Sequence, residues 1–195
     1  MNSSRLFVLA ALSDYGPMHG HQIRHKAQED RTQLWSDVAV GALYGALGRL
    51  QREGLIEAIR TEREGNYPER VIYAITEEGK RSLRVVIHDT LQTVVHHVDP
   101  FDLALAHSGP IEADQLATLL HNRIGELRVR RNTLQHILDF FSQWLNTAES
   151  EVIRHVLTRL DADIAWHESV IDRVPDIARE SHETRPGEQP KDHPS

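Results

Sequence analysis

The clearest alternation of apolar and polar positions runs over Val38–Ile56. Leu43, Leu47 and Leu50 recur at i, i+4 and i+7, with Ala46 beside them, which predicts an amphipathic helix with one apolar face. Gly54 stands where a helix takes a left-handed terminal residue. Leu55 and Ile56 then resume as a short run of strand character. The opposite face of the helix is bare: it carries Gly41, Gly45 and Gly48, with Ala42, Tyr44, Arg49 and Arg52 among them. Each glycine inside a helix costs about 0.8–1.0 kcal/mol against alanine. A crowded helix–helix crossing would explain them. So would a surface kept open for the backbone to approach a large charged partner, with arginines for phosphate, and duplex DNA is such a partner.

The same spacing places the neighbouring elements. Arg5–Tyr15 reads as a helix, with Leu6, Leu9 and Ala10 in phase and Gly16-Pro17 ending it. His19–Glu29 reads as a second, with Ile23 and Ala27 inward. His21 and His25 stand at a metal-ligand spacing, but no further ligand follows at useful spacing and no metal is assigned. Trp35 is the expected anchor beneath the third helix. Three helices joined this way make a helix-turn-helix. Leu55–Arg60 and Arg70–Ile75 then flank a polar turn with Gly65, Asn66 and Pro68, which predicts a β-hairpin. Placed here, a hairpin is a wing. It offers Arg60, Arg63, Tyr67 and Arg70 to a DNA backbone, diluted by Glu62, Glu64 and Glu69. Thr76 is an N-cap for a helix expected to reach Val98, with Leu83, Ile87, Leu91, Val94, Val95 and Val98 on one face.

Asp99-Pro100 and Ser108-Gly109-Pro110 break the pattern before two long helices. Leu120, Ile124, Leu127, Arg131, Leu134, Leu138, Phe141 and Leu145 form one heptad seam. Ile153, Leu157, Leu160, Ile164, His167, Ile171 and Val174 form the other. A polar link near Asn146–Ser150 lets them fold back antiparallel. Val152, Val156, Trp166 and Val170 widen the second stripe beyond what two helices bury, so a second subunit is expected on it. The candidate dimerisation residues are Leu120, Ile124, Leu127, Leu134, Leu138, Phe141, Ile153, Leu157, Leu160, Ile164 and Ile171. Arg131 and His167 interrupt the seams and are expected at the rim or paired with acids. Pro175 is expected to end the last helix, and the Pro-rich charged remainder reads as a disordered tail. The organisation is thus residues 1–84 as a winged-helix DNA-binding domain, 85–175 as a helical dimerisation and effector domain, and 176–195 as tail.

Charge changes the picture less than its total suggests. The net charge is −7. Residues 1–84 hold about 12 Lys and Arg against about 11 Asp and Glu, and 85–195 about 10 against about 18. A DNA-binding module needs a local basic patch rather than a basic total. The chain has no cysteine, which excludes disulfides and thiolate metal sites and suits a reducing compartment. The apolar run Leu6–Leu12 is too short to span a bilayer and lacks a cleavage pattern, so a cytoplasmic protein without a membrane partner is expected. Thirteen histidines invite an enzyme reading. Yet no nucleophile elbow, phosphate-cradling glycine loop or zincin helix is present, so no catalytic residue and no cofactor are assigned.

The motifs together resemble the PadR-like transcriptional regulators. The resemblance rests on GPMHGHQI at Gly16–Ile23, where His21 replaces a common tyrosine. It rests also on Gly41, Tyr44, Leu47, Arg49, Leu50, Glu53, Gly54 and Leu55 in the recognition helix, and on Arg70, Tyr73, Thr76 and Gly79 in the wing and the following cap. It covers about the first 85 residues. PFDLALAH and WHESVI are similar to patterns in longer members with a C-terminal helical dimerisation domain. Gly45 and Gly48 stand where larger residues are usual, and Ala39 where a serine is. The resemblance implies a mainly α fold: a winged helix-turn-helix with a small hairpin, then long dimerisation helices. It implies a homodimeric repressor on double-stranded DNA, at a pseudo-palindromic operator with half-sites about one helical turn apart. Some members release DNA when phenolic acids or larger hydrophobic compounds bind. The rival expectation is a dimeric protein-interaction scaffold that never touches DNA, which the acidic total favours.

Overall fold

The N-terminal helix α1 (Ser3–Asp14) is the centre of the first core. Its Val8, Leu9, Ala11 and Leu12 are all buried. Gly16 follows with φ +80°, a left-handed conformation that turns the chain sharply. A two-residue strand β1 (Met18–His19) leads into α2 (Gly20–Glu29). A 3-10 turn at Val40–Ala42 runs into α3 (Leu43–Arg52). Strands β2 (Ile56–Glu62) and β3 (Arg70–Ile75) and helix α4 (Glu77–Gln92) complete this unit. The computed structural model describes residues 3–30, 32–63, 69–95 and 98–182.

Leu43, Ala46, Leu47 and Leu50 are buried on the inner face of α3, with Leu9, Leu12, Ile23, Leu55, Ile56 and Leu83 in the same core. Burying each of the three leucines stabilises the fold by about 1.5–3 kcal/mol, more than each helix glycine costs. Packing therefore holds α3 against poor local propensity. The helix ends in a Schellman turn. Leu55 N donates to the Leu50 carbonyl at 2.9 Å and Gly54 N to that of Gln51 at 3.0 Å, with Gly54 at φ +71°.

Several expectations change here. The expected hairpin forms, β2 pairing antiparallel with β3, but it gains a third strand: β1 pairs with β3, and the sheet order is β1-β3-β2. Ile59 bulges β2 between Ala58 and Arg60. Thr32, not Trp35, anchors the segment before α3. Thr32 is fully buried, donates to the Ala27 carbonyl at 3.1 Å and accepts at its carbonyl from Ser36 Oγ at 2.8 Å, whereas Trp35 is half-buried. The helix expected to reach Val98 ends at Gln92, with Thr93 extended. Of its expected apolar face only Leu83 is buried; Leu91, Val94, Val95 and Val98 are exposed, so among the described residues no packing supports a further turn.

The chain divides into two units, Met1–Val95 and His96–Ser195. In the second, Asp99-Pro100 starts a helix rather than breaking one. Asp99 caps α5 (Pro100–Ala106), whose first residue is proline. Helix α6 (Ala113–Phe141) and helix α7 (Thr147–Ile171) pack side by side, joined through a 3-10 turn at Ser142–Trp144. Asn146 and Glu149 open α7 with a reciprocal capping box at 2.9 and 2.8 Å. Arg123 reaches His167, and Arg131 reaches Asp161 at 2.8 Å, an antiparallel register.

The seam residues Leu120, Ile124, Leu134, Ile153, Leu157 and Leu160 are buried inside one chain. Leu127, Leu138, Ile164 and Ile171 are half-buried, and only Phe141 of the expected dimer set is exposed. Hairpin packing has thus consumed most of the side chains expected to meet a second subunit. His167 is 4% exposed and is met by Arg123 rather than by an acid. Arg131 does pair with an acid. Pro175 does not end a helix: it is the second residue of α8 (Val174–His182), where a missing N–H costs nothing. Residues 176–182, expected as tail, are helical; the rest of the expected tail lies outside the described residues.

Candidate nucleic-acid interface

The outward face of α3 is open. A Cβ added at Gly41 or Gly48 would meet nothing within 4 Å, and one at Gly45 would meet only the Arg49 side chain at 3.5 Å. Among the described residues no neighbouring helix comes within 4 Å of a Cβ at these positions, so crowding does not explain the glycines. Tyr44, 50% exposed, stands beside them. The arginines one turn on lie back along the helix. Arg49 passes over Gly45, and Arg52 Nε donates to the Gly48 carbonyl at 3.2 Å. Each pair is an i, i+4 contact, which glycine leaves unobstructed. The surface therefore combines glycine backbone with two arginine side chains folded back along it.

Gly41 and Ala42 sit in the 3-10 turn before α3, at its positive N-terminal end, with Ala42 half-buried. Arg60 is exposed on β2 and donates to Glu62 at 2.6 Å. Such an exposed pair is worth about 0.2–1 kcal/mol, so it exchanges readily for a phosphate contact. Arg63 is exposed just after β2, and Arg70 opens β3. Tyr67 lies outside the described residues, as do Glu64, Gly65, Asn66 and Pro68.

Two devices aim this face. At the N-terminal side, α2 presses on α3 at Gly20, where a Cβ would come within 2.8 Å of the Tyr44 ring and 3.0 Å of Leu47. At the C-terminal side, Thr76 Oγ1 donates to the Gly54 carbonyl at 2.8 Å and accepts from Gly79 N at 3.0 Å. One side chain thus holds the end of α3 and caps α4.

Sequence reasoning missed His19. It is 9% exposed, caps α2 through its ring, and points its outer nitrogen at Arg70. Histidine is not a usual cap residue, and only the glutamine three positions on hinted at the capping box. A cleft beside α3 is lined by His19, His21, Tyr44, Gly48, Arg70 and Tyr73.

Among the described residues no cluster of His, Asp and Glu could hold a metal, and no helix is long and apolar enough to cross a membrane.

Residues 8–85 match the family model of the transcriptional regulator PadR-like family. No curated protein matches the chain. Among solved structures, the chain is similar to Bacillus subtilis PadR in complex with operator DNA: 23% identity, 89% of this chain and 98% of that one, TM-score 0.72. It is similar to the same protein in complex with p-coumaric acid at 22% identity, over 88% and 98%, TM-score 0.69. It is also similar to smu.1604c of Streptococcus mutans UA159 at 21% identity, over 88% and 99%, TM-score 0.67. At these identities the structures establish a shared fold. The family match, running from α1 into α4, makes residues 8–85 of this chain similar to the PadR-like transcriptional regulators, a family of regulators rather than enzymes.

Proposed function

We propose that this chain is a DNA-binding transcriptional regulator that acts as a cytoplasmic homodimer and represses from a pseudo-palindromic operator. The observation that carries the reading is the uncovered glycine face of α3 with Arg49 and Arg52 laid along it. A protein whose α3 had to pack on another helix would bury that face. Here the glycines cost helix stability, and among the described residues no other element packs on Gly45 or Gly48, which suits backbone approach to a groove. The operator complex of the Bacillus subtilis protein supports the same reading.

A second copy has apolar surface to cover. In the first unit Leu91, Val94 and Val95 are 63–96% exposed, and in the second Val98, Phe140, Trp144 and Trp166 are exposed. Apolar residues grouped in this way mark an association surface. The p-coumaric acid complex of the similar protein supports relief of repression by a phenolic or other small hydrophobic compound.

Selection of genomic duplex fragments tests the function. A repressor enriches one promoter region, whereas an interaction scaffold enriches none. On the selected duplex, Arg49→Ala lowers the slope of log affinity against log salt by about 0.9 if Arg49 neutralises one phosphate. An unchanged slope removes Arg49 from the phosphate contacts.

A further inference from the structure

His19 holds two fixed hydrogen bonds at the start of α2. Its Nδ1 accepts from Gln22 N at 3.0 Å, and its own N–H donates to Gln22 Oε1 at 2.9 Å. A ring nitrogen that accepts carries no proton, so the neutral ring bears its proton on Nε2. That Nε2 faces Arg70 Nη1 at 3.5 Å. A guanidinium has donors and no acceptor. Two donors therefore converge, and among the described residues no acceptor meets Nε2–H.

Protonation does not resolve the conflict; it adds a second positive charge. Burial first, then the charge of Arg70 and of nearby His21, push the His19 pKa below its ordinary value, against a weaker pull from Glu62. Glu62 is itself engaged by Arg60 at 2.6 Å. The His21 ring centroid lies 6.0 Å away, and Glu69 lines the same cleft. From α3 the cleft receives Tyr44, Leu47 and Gly48, none of them charged. The N-terminus of α2, the positive end of a ten-residue helix, starts at His19.

We infer that His19 Nε2–H and the Arg70 guanidinium form a seat for one phosphate, whose oxygens accept from both donors beside the glycine face of α3. The inference deepens the DNA-binding reading and rests on it for the source of that phosphate, a backbone group flanking the groove that α3 enters. A phosphate oxygen replaces a donor–donor conflict with two hydrogen bonds to an anion, the stronger kind. His19 then fixes register on the duplex without reading sequence.

The test uses the full chain with 15N-labelled histidine, in two arms. The first adds the selected duplex, and the second adds inorganic phosphate. The expected result with duplex is a downfield, exchange-protected Nε2–H resonance for His19. His19→Asn keeps an acceptor for Gln22 N and removes the outer donor. It is expected to bind duplex about tenfold more weakly, with an unchanged melting temperature, and to lose most of that effect in an Arg70→Met background. If the wild type binds duplex and His19→Asn binds equally well, or if the Nε2–H signal does not move, the seat is refuted while DNA binding stands. If the wild type binds no duplex, the DNA reading has failed and the phosphate arm decides alone. A saturable shift of Nε2–H that Arg70→Met abolishes then supports the seat, and no shift refutes it.

Discussion

The Leu55 carbonyl oxygen lies 2.0 Å from where a Cβ on Gly79 would stand. The first turn of α4 is thereby pressed onto the chain that leaves α3, and only glycine allows it. The clash is with backbone, which cannot rotate away. Gly79→Ala is expected to destabilise the N-terminal unit by about 1–3 kcal/mol and to weaken DNA binding by tilting α3. Urea unfolding measures the first effect. A loss under about 0.5 kcal/mol, the range of an ordinary surface change, would show that the approach is not a constraint.

Thr76 fastens the same junction by its hydroxyl, bonded to the Gly54 carbonyl and to Gly79 N. Thr76→Val keeps the shape and loses both bonds. Its expected cost is about 1–2 kcal/mol, the usual range for a lost N-cap. Thr76→Ser is expected to retain most of the stability. A larger loss for Ser than for Val would mean that the methyl group, not the hydroxyl, holds the turn.

The second unit has its own polar lock. Asp99 accepts from Phe101 N at 2.9 Å and from Arg123 Nη2, while Arg123 Nε donates to His167 Nε2 at 2.9 Å. The Arg123 guanidinium also lies over the Phe101 ring, 4.4 Å from its centroid. The Phe101 N–H first, then the charge of Arg123, hold the Asp99 carboxyl below its ordinary 3.8, against the opposing effect of burial. A depressed carboxylate contributes stability that is full above the unfolded pKa and is lost as pH falls through the folded one. Asp99→Asn keeps the cap but loses the charge facing Arg123. Because Asp99 is half exposed, the expected loss is about 0.5–1 kcal/mol at pH 7. The difference from wild type should hold from about pH 8 to about pH 5 and shrink as pH falls through the depressed Asp99 titration, as read by urea midpoints from tryptophan fluorescence. A difference that does not shrink on acidification would place its origin elsewhere.

What could be read from sequence follows from how locally each feature is encoded. The apolar side of α3 and the seams of α6 and α7 repeat every three or four residues, so helical spacing exposed them directly. Gly54 and Thr76 were legible because a left-handed cap and an N-cap each demand a particular chemistry at a fixed offset. Strand β1 was not: Met18 and His19 are two residues whose pairing with Ile72 and Tyr73 is set more than fifty positions away. Trp35 looked like an anchor by size, but Thr32 took that role because its hydroxyl could close a turn onto Ala27. The length of α4 was overread because apolar spacing through Val98 says nothing about whether a partner is there to cover it. For the interface, residue types revealed Tyr44, Arg49 and the glycines. They could not reveal that Arg60 already holds Glu62, or that His19 turns toward Arg70.

The central claim is that α3 gives up helix stability to let DNA approach, and Gly48→Ala separates the two quantities. Among the described residues, nothing other than the helix's own adjoining backbone lies within 4 Å of the added methyl. The variant should therefore gain up to about 1 kcal/mol of stability and bind the selected duplex at least several-fold more weakly at the same salt. Higher stability with weaker binding is the expected result; higher stability with unchanged binding would contradict the account.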